Sequence, residues 1–306
     1  PKLAEALEQN KAYLAIAGLT AADRHEALVQ QAEILVEMGK PAESLKVLAE
    51  LGPNAKYFPA VNVVEGRALL GEARALKAKA KSEADRQEAT KKLQAALATL
   101  RKAREAETVY TQNGRQALYL LGVCLTEMGD PQGALDQFRE LNAAEPTVPE
   151  YFAAAFQEAG LLRTMGRAAD AVKAYCRALD AVRDAKEFRN PWMSADQACK
   201  GVVDAYRQAM ESHNFASAVE LASRPGCVVP IDRSLQMRAE ACLAWGHDLL
   251  AQAETAETAK AAALVREGRM QLRRSSQFWQ QLAKQRIATR SYPEDLWQSA
   301  MTALEG

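Results

Sequence analysis

Three histidines (His25, His213, His247) and five cysteines (Cys124, Cys176, Cys199, Cys227, Cys242) are the residues best suited to proton transfer, nucleophilic attack or metal binding. Their spacing does not assemble them. The chain holds no HExxH, no GxSxG, no glycine-rich phosphate loop, and no histidine at a recognisable distance from a cysteine. The cysteines are odd in number and form no CxxC, which argues against a disulfide framework or a structural zinc site. Cys124, Cys176, Cys199 and Cys242 occupy helical slots suited to small apolar residues and read as buried free thiols, while Cys227 falls in a linker. Each histidine reads as a surface or turn residue. The expectation is a non-enzyme, with no catalytic residue, no metal and no cofactor.

Charge supplies the next candidates. Residues 77–104 carry nine Lys and Arg against Glu83, Asp85 and Glu88, and residues 266–290 carry seven against Glu267 alone. The whole chain has 39 basic and 39 acidic residues, so the remainder is acidic. Lys91, Lys92 and Arg101 in the first segment and Arg269, Arg273 and Arg274 in the second form the expected basic patch. Solvation of long helices would explain such clusters; so would contact with an acidic protein or an anionic lipid surface. Zero net charge argues against a nucleic-acid platform.

The elements that must position these residues are helices. Hydrophobic residues make up 48% of the chain and aromatics 6%, Ala, Leu, Glu, Gln, Lys and Arg abound, and strand-like runs are nearly absent. No run of about 18 uncharged apolar residues is present that could form a transmembrane segment. The clearest unit is Arg115 to Pro146, RQALYLLGVCLTEMGDPQGALDQFRELNAAEP, which reads as two helices around Gly129-Asp130-Pro131 with apolar residues at i, i+3, i+4 and i+7. Such a hairpin cannot bury its own apolar face and requires neighbours.

This unit resembles a tetratricopeptide repeat (TPR): Leu121-Gly122 in the first helix, Gly129 at the turn, Ala134 where the helices cross, Phe138 as the wedge between them and Pro146 as the stop. Related units follow the chain. Residues 1–18 form a lead-in helix; 19–58 a repeat with VEMGKP matching TEMGDP; 59–108 a hairpin with both helices lengthened and its turn near Ser82-Glu83. Then come repeats at 115–148 and 149–185, and a degenerate repeat at 190–225 in which His213-Asn214 replaces the turn glycine. Residues 226–234 are a packed linker, 235–290 a second lengthened hairpin, and 292–306 a repeat cut at its turn. Both ends read as cuts within a longer array.

The resemblance implies one all-α domain over 1–306, a right-handed α-solenoid of about seven helical pairs. It further implies a concave face lined by first helices, here Val29, Glu33, Tyr119, Val123, Phe156, Arg163, Val203, Arg207 and Trp297. TPR domains that clamp carboxylate-ended chaperone tails place Lys and Asn on these positions. This chain has Val, Tyr, Phe and Glu there, which favours apolar anchoring of a peptide. The function expected is a protein-interaction scaffold for a protein or peptide partner, with acidic partners favoured by the basic hairpins. Alternatives are a structural or regulatory region of a larger enzyme and an envelope-associated assembly factor.

Overall fold

The computed structural model describes residues 2–52, 55, 58–143, 148–224 and 226–288. Pro146 and Trp297 lie outside them. The described residues contain thirteen α-helices and no strand. The chain divides into two compact units, Pro1–Pro146 and Thr147–Gly306. The first holds α1 (Lys2–Leu14), α2 (Ala21–Glu37), α3 (Pro41–Ala49), α4 (Pro59–Lys79), α5 (Glu83–Ala106), α6 (Gln112–Met128) and α7 (Pro131–Asn142). The second holds α8 (Pro149–Thr164), α9 (Ala168–Ala181), α10 (Ala195–Glu211), α11 (Phe215–Ala222), α12 (Ile231–Thr255) and α13 (Thr258–Ala288). Within each unit, consecutive helices pack as antiparallel hairpins.

Local chemistry sets where the helices stop and restart. Gly39, Gly129 and Gly166 adopt φ of 73°, 81° and 75° at the hairpin turns, a left-handed conformation that costs glycine no Cβ clash. Pro41 and Pro131 then open the second helices, where a missing N–H costs nothing. In the degenerate repeat His213 takes that position with φ 55°, and Asn214 caps α11 by accepting from the Ser217 amide at 3.3 Å. Ser82 forms a capping box with Asp85 at the start of α5. Between the last two hairpins, Val228 and Val229 are buried and the Gly226 amide donates to the Val229 carbonyl at 2.9 Å. α12 starts directly afterwards, at Ile231.

Close approach of paired helices supplies the core. A Cβ added to Gly122 would lie 2.4 Å from the Phe138 ring, one on Gly66 2.5 Å from Leu100, and one on Gly246 2.8 Å from Leu272. In each pair the missing side chain is the space the bulky residue fills. Phe138 and Leu100 are fully buried there, and Leu118, Leu135 and Leu141 are fully buried as well. Buried serines tie helices together: Ser44 donates to the Ala32 carbonyl at 2.8 Å, Ser234 to Ala222 at 2.6 Å and Ser275 to Ala239 at 2.8 Å. The two long hairpins have α4 and α5 of 21 and 24 residues and α12 and α13 of 25 and 31, and their turns pass through extended residues, Ala80 with Ser82 and Ala256, in place of a left-handed glycine.

The contact between Gly122 and Phe138 makes a compensation test. Gly122→Ala should destabilise the chain by roughly 1–3 kcal/mol through overpacking, measured by urea titration. Adding Phe138→Leu should cost less than the sum of the two single changes. Additive losses would mean that the glycine does not make room for the ring.

Candidate functional site

The histidines and cysteines stay apart. His25 packs its ring against Phe58, 4.8 Å between centroids; His213 Nδ1 lies 3.1 Å from Asp248 Oδ1; His247 is exposed. Among the described residues no three His, Cys, Asp or Glu side chains are placed to share a metal ion. Burial pushes the Cys124 and Cys176 thiols up to about 12, and burial also raises Cys199, Cys227 and Cys242. All five are therefore neutral at physiological pH, the form in which a thiol is a poor nucleophile.

The first-helix residues fall into two groups. Tyr119 and Phe156 are only 4% and 5% exposed. Tyr119 sits 6.1 Å from the Phe138 ring, and Phe156 is stacked on Phe152 at 4.6 Å with Tyr175 edge-on at 5.0 Å. These rings belong to the packing of their own hairpins, because the first-helix slot turns them onto the wedge residue of the second helix. Val123 is also buried. In the first unit, Val29 is half-buried against the core around Leu28 and Leu35, and Glu33 is half-buried. In the second, burial raises the pKa of the Tyr175 hydroxyl and the nearby Arg163 charge partly offsets it. Val203 is half-buried and Arg207 is exposed, 3.4 Å from Asp204.

The two basic hairpins also differ. On α4 and α5 most of the charge is answered within the unit: Lys92 meets Glu72 at 2.6 Å, Arg74 meets Glu127 at 2.6 Å, Arg86 meets Glu83 at 3.3 Å, Lys91 meets Glu88 at 3.8 Å and Arg104 pairs with Glu140. Arg101 is exposed. On α13, Arg266, Arg269, Arg273, Arg274 and Lys284 are all exposed and make no ion pair with a described carboxylate. Met270, 38% exposed, lies in the same stripe. The nearest carboxylate in sequence, Glu267, is half-buried and accepts from Gln271 at 2.8 Å. Beside the stripe, Arg238 of α12 lies 3.9 Å over the Phe278 ring.

A groove of about 420 Å³ between α1 and α2 went unnoticed in the sequence. Asn10 lines it, with Asp23, Glu26 and Gln30 opposite. The available signal was Asn10 itself, which stands in the apolar series Leu3, Leu7, Leu14. No described helix is long and apolar enough to cross a membrane.

No family model and no curated protein matches the sequence. Solved structures similar to the chain include the thermophilic TPR protein TTC0263 of Thermus thermophilus, at 20% identity and a TM-score of 0.48, covering 60% of this chain and 84% of that one. A tetratricopeptide repeat protein from Parabacteroides merdae matches at 13% identity and 0.40, covering 92% and 98%. MamA matches at 18% and 0.43, covering 58% and 88%. The TPR-like character of this chain rests on its own hairpins: the left-handed turn glycines, the glycine beneath the wedge and the buried Ala134 at the crossing.

The thiols set an alkaline limit. Because Cys124 and Cys176 keep their protons to about pH 12 in the folded chain, the unfolded chain loses protons first above pH 9. Stability contributed by the neutral thiols is present below pH 9 and lost as pH rises towards 12. The fall in melting temperature over that range should be shallower in Cys124→Ala/Cys176→Ala. Identical slopes in both proteins would contradict the assignment.

Proposed function

We propose that the chain is a non-catalytic protein-interaction scaffold that captures an acidic segment of a partner protein along α13. One observation carries the reading: Arg266, Arg269, Arg273 and Arg274 of α13 are exposed and make no ion pair with a described carboxylate, while Arg74, Arg86 and Arg104 of α4 and α5 each meet one. A helix that needs charge only for solvation is served equally well by mixed signs. From Arg266 to Lys284 the stripe runs about 27 Å at the α-helical rise, long enough to meet several carboxylates at once.

Arginine suits this use, because its planar fork meets a carboxylate in a bidentate way. Each exposed pair contributes only about 0.2–1 kcal/mol. Several in a row, with Met270 as an apolar contact, are needed for a stable complex, and the result must be salt-sensitive. On α10 of the same unit, Val203 and Arg207 offer further contact area. In the first unit the corresponding positions are Glu33 and Val29, both half-buried, and the exposed Arg101 of α5 is a candidate secondary contact.

The test is fluorescence anisotropy with a labelled helical peptide carrying Glu along one face and Leu beside it, compared with a duplex DNA of similar length. The peptide should bind wild type, lose about tenfold or more in affinity to Arg269→Glu/Arg273→Glu, lose little to Lys91→Glu/Lys92→Glu, and weaken steeply between low and high salt. Equal binding to all three proteins, or tighter binding of the DNA, would overturn the reading.

A further inference from the structure

The exposed charge of α13 is not spread evenly. Arg266, Arg269, Arg273 and Arg274 fall within about two and a half turns. The exposed positions that follow, Gln277, Gln280 and Gln281, are uncharged until Lys284. Among the four arginines stands Met270, 38% exposed. Met128 and Met165 are similarly exposed, but they immediately precede the turn glycines Gly129 and Gly166. Met270 lies far from either end of a 31-residue helix, where no turn calls for it.

A side chain on a helix has four neighbours on its own face, three and four positions before and after it, with Cβ atoms about 5–6 Å away. For Met270 these are Arg266, Glu267, Arg273 and Arg274. Three of the four corners are exposed guanidinium groups that make no ion pair with a described carboxylate. The fourth, Glu267, is half-buried and accepts from Gln271 Nε2 at 2.8 Å. A lone apolar side chain on a surface is ordinary. An apolar centre inside a charged rim is the arrangement of a protein contact, in which the rim keeps water from the centre, and methionine and arginine are both enriched at such contacts.

We infer that Met270 is the apolar anchor of the α13 surface, and that the segment it receives is a helix carrying a large aliphatic side chain with a glutamate three residues before it and another three residues after it. The inference rests on the acidic-segment reading of α13 and adds its register. Arg266 and Arg274 lie on opposite sides of the line through Met270. A strand presents its same-face residues in single file, whereas a helix presents neighbours on both sides of such a line. With the aliphatic side chain seated on Met270, the partner positions three before and three after it fall over Arg266 and Arg274 in either chain direction. The positions four before and four after fall over Arg273 and Glu267, so only one of those two gains from a glutamate. Each glutamate over an arginine makes a charge-assisted hydrogen bond, and the aliphatic side chain and the thioether remove each other from water.

The test is NMR titration of the ¹⁵N-labelled full chain at low salt with two alanine-based peptides of about 18 residues, long enough to form helix in isolation. Both contain one leucine and two glutamates. In the first the glutamates stand three before and three after the leucine; in the second the leucine is moved two positions along, onto the opposite face. The first should bind about fivefold or more tightly. Met270→Ala, which replaces an exposed residue by a better helix former, should abolish that preference and change the affinity of the second peptide little. Arg269→Glu/Arg273→Glu should weaken both. Equal affinity for the two peptides, or a preference that survives Met270→Ala, would overturn the inference, and the acidic-segment reading stands if both peptides still lose affinity to the arginine substitutions. Binding indifferent to those substitutions, or no binding of either peptide, would overturn both.

Discussion

The close approach of two helices at a glycine is the contact on which the rest of this structure depends. Gly122 under Phe138, Gly66 under Leu100 and Gly246 under Leu272 place a large side chain of the second helix against the backbone of the first. A helical hairpin gains little from its own hydrogen bonds, and its stability comes from tertiary burial of the apolar stripe. Bringing the helices together at one point buries that stripe along the pair. The face left over packs on the next hairpin within the unit, through α3 on α4 and α5 on α6 in the first and α11 on α12 in the second. Interior side chains are consequently committed to neighbours close in sequence.

That commitment explains why function must be sought at the surface. The large aromatic rings of α6 and α8 are spent on packing, with Tyr119 against Phe138 and Phe156 between Phe152 and Tyr175. What remains for recognition is surface charge. Lengthening a hairpin adds surface without adding much core, and the two long hairpins use that surface differently. α4 and α5 knit theirs into ion pairs such as Lys92 with Glu72 and Arg74 with Glu127, whereas α13 leaves a row of arginines facing solvent. Exposed guanidinium groups with no carboxylate beside them contribute little to the stability of the fold, which is why the proposed binding is placed on them.

Much of the fold was legible because it is written locally. The turn at Gly129 with Pro131 behind it, the cap at Ser82 and the wedge at Phe138 each depend on residues within one hairpin. The candidate site was less legible, because its determinants join residues distant in sequence. Helical register tells which way Tyr119 points but not how deep the neighbouring ring buries it. A run of lysines and arginines looks the same whether or not carboxylates answer it; Arg74 finds Glu127, 53 residues on. Asn10 looked like an ordinary polar residue on a short helix until the Ala27 carbonyl, 17 residues on, took its amide and left its oxygen buried.

The central claim, that the unpaired arginine face of α13 is a recognition surface for carboxylates, is most directly tested by a charge-swap cycle. Arg273→Glu is combined with an acidic helical peptide in which one glutamate is replaced by arginine, and all four pairings are measured by calorimetry at low salt. The account predicts that the doubly swapped pair regains a large part of the affinity that either change alone removes, with a coupling energy of about 1 kcal/mol or more. Losses that simply add, whichever glutamate of the peptide is replaced, would contradict direct contact and leave α13 as a solvated helix.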